Sequence, residues 1–260
     1  VKLLGEGRLD HEPPPDDLPD VVGEIREAAS RATVRMRDDR VARERLLAGA
    51  AHELRTPLAT LRATVDVSLR RPRADAELRE ALEEVGAEVT RLEVMAQELL
   101  GLGQARAAPR EERSADVREI VRDSIRRFTH AATLADVTLV LRAPEATSAV
   151  VEPELLGRAL DNLLRNALQH APRESRVEVA LTTSKSEVLI HVRDEGEGVP
   201  AGAEERIFVP FHRERRAGQG GAGLGLALVR EVAERHGGRA RAIPSPRGAW
   251  FEIALPLTRD

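Results

Sequence analysis

The chain contains no cysteine. That excludes disulfide staples, thiolate metal centres and a cysteine nucleophile together, so any covalent chemistry must use another side chain. Lysine is nearly absent as well: among 40 basic residues only Lys2 and Lys185 are lysines, and the rest are arginines. Neither lysine follows a glycine-rich stretch, and no Val-Ala-Ile-Lys or Asp-Phe-Gly sequence occurs. Both common designs that grip a nucleotide phosphate with lysine are thereby removed. Aromatic residues make up 2%, with no Tyr and one Trp, which leaves few platforms for stacking bases. Charge of neither sign dominates: 44 acidic residues against 40 basic ones leave −4, and a nucleic-acid binder working through bulk positive charge is not expected. No apolar run approaches the roughly 18 residues of a membrane span, and no signal-peptide pattern is present.

What remains is a chain of 260 residues, 42% hydrophobic and 32% charged, which can bury a core and has room for about two domains. It reads as a soluble fragment, and a first residue of Val1 is expected to be the cut end of a longer protein. Pro13, Pro14, Pro15 and Pro19 among acidic residues suit an extended connector. From Val22 the apolar positions Val22, Ile25, Ala29, Ala32 and Met36 step by 3 and 4, predicting a short helix that needs a partner. A cleaner seam, Leu47, Ala51, Leu54, Leu58, Leu61 and Val65, is followed by a second, Leu78, Leu82, Val85, Val89, Leu92, Ala96 and Leu99. The stretch 71–75 between them supplies a turn and an N-cap. This is a helical hairpin whose narrow stripes cannot close a core alone, so a dimeric four-helix bundle is the expected completion. The seams on either side of 37–46 are out of phase by one residue. That stretch is either a solvated helix face or a signalling joint.

Gly101, Gly103 and Pro109 are read as the end of the hairpin. Beyond them the pattern predicts helices near 115–130, 153–170 and 223–236. Alternating strands are predicted over 137–141, 177–181, 188–192 and 250–253, the middle pair as an antiparallel hairpin. The second domain is therefore expected to be an α+β sandwich, one helical layer on one mixed sheet. The domain boundaries are 1–44, 45–108 and 109–260.

His52 follows the seam residue Ala51 and so faces solvent. Thr56 lies four residues on along the same face, and Glu53 is adjacent. Pro57 has no amide hydrogen for the Glu53 carbonyl, a cost of about 3 kcal/mol in a helix interior that usually marks function or a turn. A neutral imidazole is a competent nucleophile near pH 7 and a neighbouring carboxylate can take its proton, although a lone surface histidine is more often inert. Asn162 and Asn166 share one helix face with His170. Two amide oxygens suit Mg²⁺ beside a triphosphate, and solvent-facing amides are the plain alternative. Asp194 precedes the Gly196-Glu197-Gly198 loop at a strand end. Gly221-Ala222-Gly223-Leu224-Gly225 opens a helix whose first amides can cradle phosphate without lysine. Arg213, Arg215, Arg216, Gly218 and Gly220 make a basic segment able to close over a nucleotide.

The run Ala51-His52-Glu53-Leu54-Arg55-Thr56-Pro57-Leu58 resembles the phosphoacceptor box of bacterial two-component sensor histidine kinases. It is followed in order by residues resembling that family's asparagine box (161–167), first glycine box (192–200), phenylalanine box (Ile207-Phe208-Val209-Pro210-Phe211) and second glycine box (221–226). The resemblance covers nearly all of 45–260 and implies the ATP-binding sandwich shared by histidine kinases, gyrase-type enzymes and related chaperones. It implies that His52 receives the γ-phosphoryl group of Mg·ATP and passes it to an aspartate on a response regulator, with Glu53 as base and Thr56 positioning water for dephosphorylation. It further implies nucleotide contacts from Asn162, Asn166, His170, Asp194, Gly196, Gly198, Phe208, Phe211, Arg215, Arg216, Gly221, Gly223, Leu224 and Gly225, with Asn162 and Asn166 as metal ligands. Residues 18–25 resemble the end of a HAMP linker, which implies a homodimer on the cytoplasmic side of the inner membrane, anchored by an upstream segment. Glu152 and Glu195 depart from the family's usual Asp and Asn, the second with an expected effect on hydration near the nucleotide. The rival readings are another ATPase or a serine kinase of this fold, and a signalling scaffold without catalysis.

Overall fold

A computed structural model describes residues 20–70, 74–107, 109–144, 147–212 and 222–257. The chain divides into two compact units, residues 1–59 and 60–260. Helix α1 (Asp20–Leu69) runs through both seams and through Pro57. The separate short helix expected after Val22 is thus part of one 50-residue helix, and the phase slip at 37–46 does not interrupt it. An α-helix can absorb a one-residue change of stripe by presenting a different face, because its backbone bonds do not depend on the pattern. Helix α2 (Asp75–Ala107) begins one residue earlier than a cap at Asp75 would allow: the Ala74 carbonyl accepts from the Leu78 amide at 3.1 Å, and Asp75 lies in the first turn, where its charge suits the helix dipole. Arg71, Pro72 and Arg73 of the expected turn lie outside the described residues, as does most of the proline-rich connector.

α2 also passes through Gly101 and Gly103, where the hairpin was expected to end. Gly101 has a packing reason: a Cβ there would stand 2.9 Å from a Leu228 methyl, so a larger residue would have to displace that buried side chain. The seam residues Leu47, Leu58 and Leu82 are 70%, 54% and 62% exposed in the single chain. None of the described helices is long and apolar enough to cross a membrane.

The remainder is the expected sandwich. β1 (Arg113–Asp116) pairs antiparallel with β3 (Ser148–Val151) in a small sheet of their own. The main sheet has the order β2-β4-β5-β7-β6, from β2 (Val137–Arg142), β4 (Ser175–Thr183), β5 (Glu187–Arg193), β6 (Arg239–Ala242) and β7 (Trp250–Pro256). β2 and β4 are parallel; every other pair is antiparallel, including the β4–β5 hairpin. Helices α3 (Val117–Ala135), α4 (Pro153–His170) and α5 (Gly225–Arg235) bury their apolar stripes against one face. Leu160, Leu163 and Leu228 of the helices and Val179, Ile190, Ile253 and Leu255 of the sheet are all buried and make up the core. Local chemistry fixes the ends. Asp116 caps α3 by accepting from the Arg118 amide, and Asp136 takes the left-handed conformation at its other end. Pro153 opens α4, where its missing amide costs nothing. β1, β3 and β6, four residues each, were not predicted.

Candidate functional site

His52 is exposed on α1, Glu53 is half-buried beside it, and Thr56 is exposed one turn on, with Pro57 buried. All four belong to the first unit. The imidazole is presented to solvent from a rigid element rather than from a loop.

The other candidates gather in the second unit around the ends of α4, β5 and α5. Asp194 is 1% exposed, and its placement is determined by the backbone. Oδ1 accepts from the Gly196 amide at 2.8 Å and the Ala249 amide at 3.0 Å, while the Asp194 amide donates to the Ala249 carbonyl. Both donors go to Oδ1, and among the described residues no hydrogen bond to Oδ2 is seen. The glycines around it are positions of forced contact. A Cβ on Gly196 would lie 2.4 Å from the His170 carbonyl at the end of α4. Gly198 has φ +82°, and a Cβ there would lie 2.9 Å from the Gly248 carbonyl. Gly248 itself would collide with the Asp194 carbonyl at 1.9 Å. Gly248 and Ala249 are thus part of the Asp194 loop and were missed; the Ser-Pro-Arg-Gly turn ahead of β7 was their only signal.

Phe208 is 2% exposed, edge-on to Phe251 and covered by the Arg230 guanidinium at 4.4 Å. Its ring therefore packs between Phe251 and Arg230. Phe211 takes φ +63° and its amide donates to the Gly223 carbonyl at 2.9 Å. Gly223, at φ +72°, permits that approach, since a Cβ would lie 2.8 Å from the His212 carbonyl. Leu224 is fully buried at the N-cap of α5, and no side chain caps the helix. Among the described residues no side chain caps the first amides of α5, donors of the kind an anion can use, and a Cβ on Gly225 would lie 3.3 Å from the Asn162 amide oxygen. Arg215, Arg216 and Gly221 lie outside the described residues.

Asn162 is 7% exposed and its Oδ1 accepts from Arg165 Nη1 at 2.6 Å; Asn166 is half-buried, and His170 is exposed at the end of α4. Glu195 pairs with Arg176 at 3.0 Å and with Arg247 at 3.5 Å, which ties β4 to the turn before β7.

Two family models match the chain. Residues 42–108 match the His Kinase A (phospho-acceptor) domain, and 151–259 match the histidine kinase-, DNA gyrase B- and HSP90-like ATPase. The sensor-like histidine kinase SenX3 of Mycobacterium tuberculosis is 34% identical over 221 residues, covering 83% of this chain and 54% of the relative. The alginate biosynthesis sensor protein KinB of Pseudomonas aeruginosa is 34% identical over 235 residues, covering 87% and 38%. The chain belongs to the sensor histidine kinases.

It spans about half the length, or less, of the curated relatives named here. In fold it is similar to the histidine kinase ThkA, solved in complex with the response regulator TrrA, at a TM-score of 0.69 and 20% identity over 94% of this chain and 68% of that one. The Acinetobacter baumannii histidine kinase AdeS follows at 0.64 and 17%, over 80% and 98%. In this sensor histidine kinase the join between hairpin and ATPase domain is built from charge. Arg235, 8% exposed, donates to both oxygens of Glu152 and to the carbonyls of Ala105 and Pro109, each at 3.0 Å. Burial would raise the Glu152 carboxyl, but hydrogen bonds from Arg235 and the Glu111 amide outweigh it and hold the group below the usual range. His236 is engaged at both ring nitrogens, Nε2 accepting from the Glu152 amide and Nδ1 donating to the Val232 carbonyl, which fixes it as the neutral Nδ1–H tautomer. Glu98 on α2 is the opposite case from Glu152: burial pushes its carboxyl up to about 7, only partly offset by Arg165.

Proposed function

We propose that this chain binds Mg·ATP in its sandwich domain, phosphorylates His52, and passes the phosphoryl group to an aspartate on a response-regulator receiver domain. In the first step the bond from the γ-phosphorus to the ADP oxygen breaks, a bond to an imidazole nitrogen of His52 forms, and Glu53 takes the displaced proton. Thr56, on the same face, positions water for dephosphorylating the partner. Transfer of this kind depends on in-line positioning and charge neutralisation more than on covalent help.

The observation that carries the reading is the buried Asp194 carboxylate, held by two backbone amides in a loop whose close contacts suit glycine, in the same unit as a start of α5 that its N-cap side chain does not serve. Oδ2 of Asp194 would accept the adenine amino group, and the α5 amides would take phosphate oxygens. Asn162 and Asn166 offer hard amide oxygens on one face, a donor set that fits Mg²⁺ carried in by a triphosphate. When bound, that ion neutralises phosphate charge. His170, Phe211, Leu224, Gly221 and the arginines at 215 and 216 are assigned further nucleotide contacts on the family resemblance, Gly221 and the two arginines lying outside the described residues. The exposed seam leucines support a homodimer, and the resemblance of residues 18–25 to the end of a HAMP linker supports a place on the cytoplasmic side of a membrane-anchored sensor.

Incubation with γ-labelled ATP should give a label that is lost in acid and kept in base. The same label on His52→Gln would overturn the assignment, and no label with intact Mg-dependent ATP binding would favour the scaffold reading.

A further inference from the structure

Glu98 is a buried carboxylate that the proposed mechanism does not use. It lies on the half of α2 that packs against α4 and α5, among the buried residues Met95, Gly101, Leu102 and Ala105. Its Oε1 is 3.4 Å from Arg165 Nη1, and Oε2 meets no donor among the described residues. A buried charge held this loosely costs more in desolvation than one ion contact returns, so stability alone does not account for it. The same Arg165 Nη1 donates to Asn162 Oδ1 at 2.6 Å. Glu98 and Asn162 also converge in space: a Cβ on Gly225 would stand 3.2 Å from Glu98 Oε1 and 3.3 Å from Asn162 Oδ1. The docked end of α2 therefore brings a carboxylate to the open amide end of α5, and its arginine partner to the proposed metal-binding oxygen.

We infer that Glu98 and Arg165 form a latch by which docked α2 withholds Asn162 from the nucleotide's metal ion, Arg165 being a positioning residue that acts through Asn162. This rests on the reading of Asn162 as a metal ligand. A guanidinium and a divalent cation repel each other at one amide oxygen, so loading the metal requires Arg165 to leave Asn162. Phosphate brought in at α5 repels the Glu98 carboxylate as well. Metal-nucleotide binding and docking of residues 98–105 are then opposed, and the coupling is reciprocal: fixing the helix end weakens metal-dependent binding, and binding frees the helix end.

The test uses the whole chain, which has no native cysteine to interfere. Arg106 and Glu231 form an ion pair at 2.7 Å across the same helix contact. Arg106→Cys and Glu231→Cys, joined by a short bifunctional maleimide, would hold α2 in place. Binding of a fluorescent ATP analogue is then measured with Mg²⁺ and with chelator, before and after tethering. The expected result is that tethering cuts the Mg-dependent gain in affinity by at least about threefold, set by the fraction of undocked chain, over and above the smaller loss that Glu98 imposes on metal-free binding. An equal Mg-dependent gain in both forms overturns the latch alone. No binding in either form overturns both the nucleotide reading and the latch that rests on it. Independently, Arg165→Leu should raise Mg-dependent affinity and speed amide exchange over 98–105. A fall in affinity would overturn the inference and assign Arg165 to phosphate instead.

Discussion

The clamp at Arg235 makes a quantitative prediction about how the hairpin is held to the ATPase domain. Replacing Arg235 by Met keeps a long apolar stem but removes the guanidinium that serves both Glu152 oxygens and the Ala105 and Pro109 carbonyls. The Glu152 and Arg235 side chains are 9% and 6% exposed, so the carboxylate left behind is a buried, unpaired charge. Breaking a buried pair from one side costs about 3–5 kcal/mol, and each orphaned carbonyl adds up to about 1–3 where water cannot reach it. A loss of about 4 kcal/mol is therefore expected. With a urea slope of about 2 kcal/mol per M, the unfolding midpoint falls by about 2 M. Trp250, the single tryptophan and a residue of β7, reports that transition by fluorescence. Glu152→Leu with Arg235→Met should lose less than Arg235→Met alone, because the stranded charge is gone and only the carbonyls remain unserved. The pH dependence has a definite sign. The folded Glu152 carboxyl lies below its ordinary value of 4.5, so its stabilisation is present above that value and is lost as pH falls through the lowered one. The gap between wild type and Arg235→Met should close in acid. A loss under about 1 kcal/mol at neutral pH, or a double variant as damaged as the sum of the singles, would refute the reasoning.

Burial holds the His191 imidazole below its ordinary 6.5, outweighing the Glu252 carboxylate beside it, and Trp250 Nε1 donates to its Nδ1 at 3.2 Å. The unfolded chain then binds the proton first, so this site loses stability as pH falls below 6.5, and Trp250 fluorescence should show an acid transition that His191→Leu abolishes. Gly223→Ala places a Cβ 2.8 Å from the His212 carbonyl at φ +72° and should weaken ATP binding about tenfold or more by opening the contact with Phe211; titration with a fluorescent analogue checks this. Leu58→Asp with Leu82→Asp puts charge on both exposed seams and should reduce the mass in light scattering from twice 28.5 kDa to that value; an unchanged mass removes the seams from the dimer interface.

The candidate site was more legible in the chain than the way its parts are joined. Each box is a local run whose residue types state their own requirement: a glycine where backbone passes backbone, a carboxylate at a strand end, an uncapped helix start. Such requirements are written in the residue type itself even where the partner is distant, as at Gly196, whose amide serves nearby Asp194 while the His170 carbonyl is what excludes a side chain. The clamp and the latch are met by partners far along the chain, Arg235 with Glu152 and Glu98 with Arg165, and no period or spacing marks them. Gly101 shows why reading failed there. As a residue type it argues for a helix end, and in the structure it lies inside α2 against Leu228, whose methyl would have to shift to admit a side chain. Gly225 carries the same ambiguity, since the glycine proposed to open a phosphate-binding helix also stands close to Glu98 and Asn162. A glycine therefore reports that something comes close. Whether that is a ligand or another helix of the same chain is decided by tertiary packing, and under the proposed latch the two would compete at Gly225.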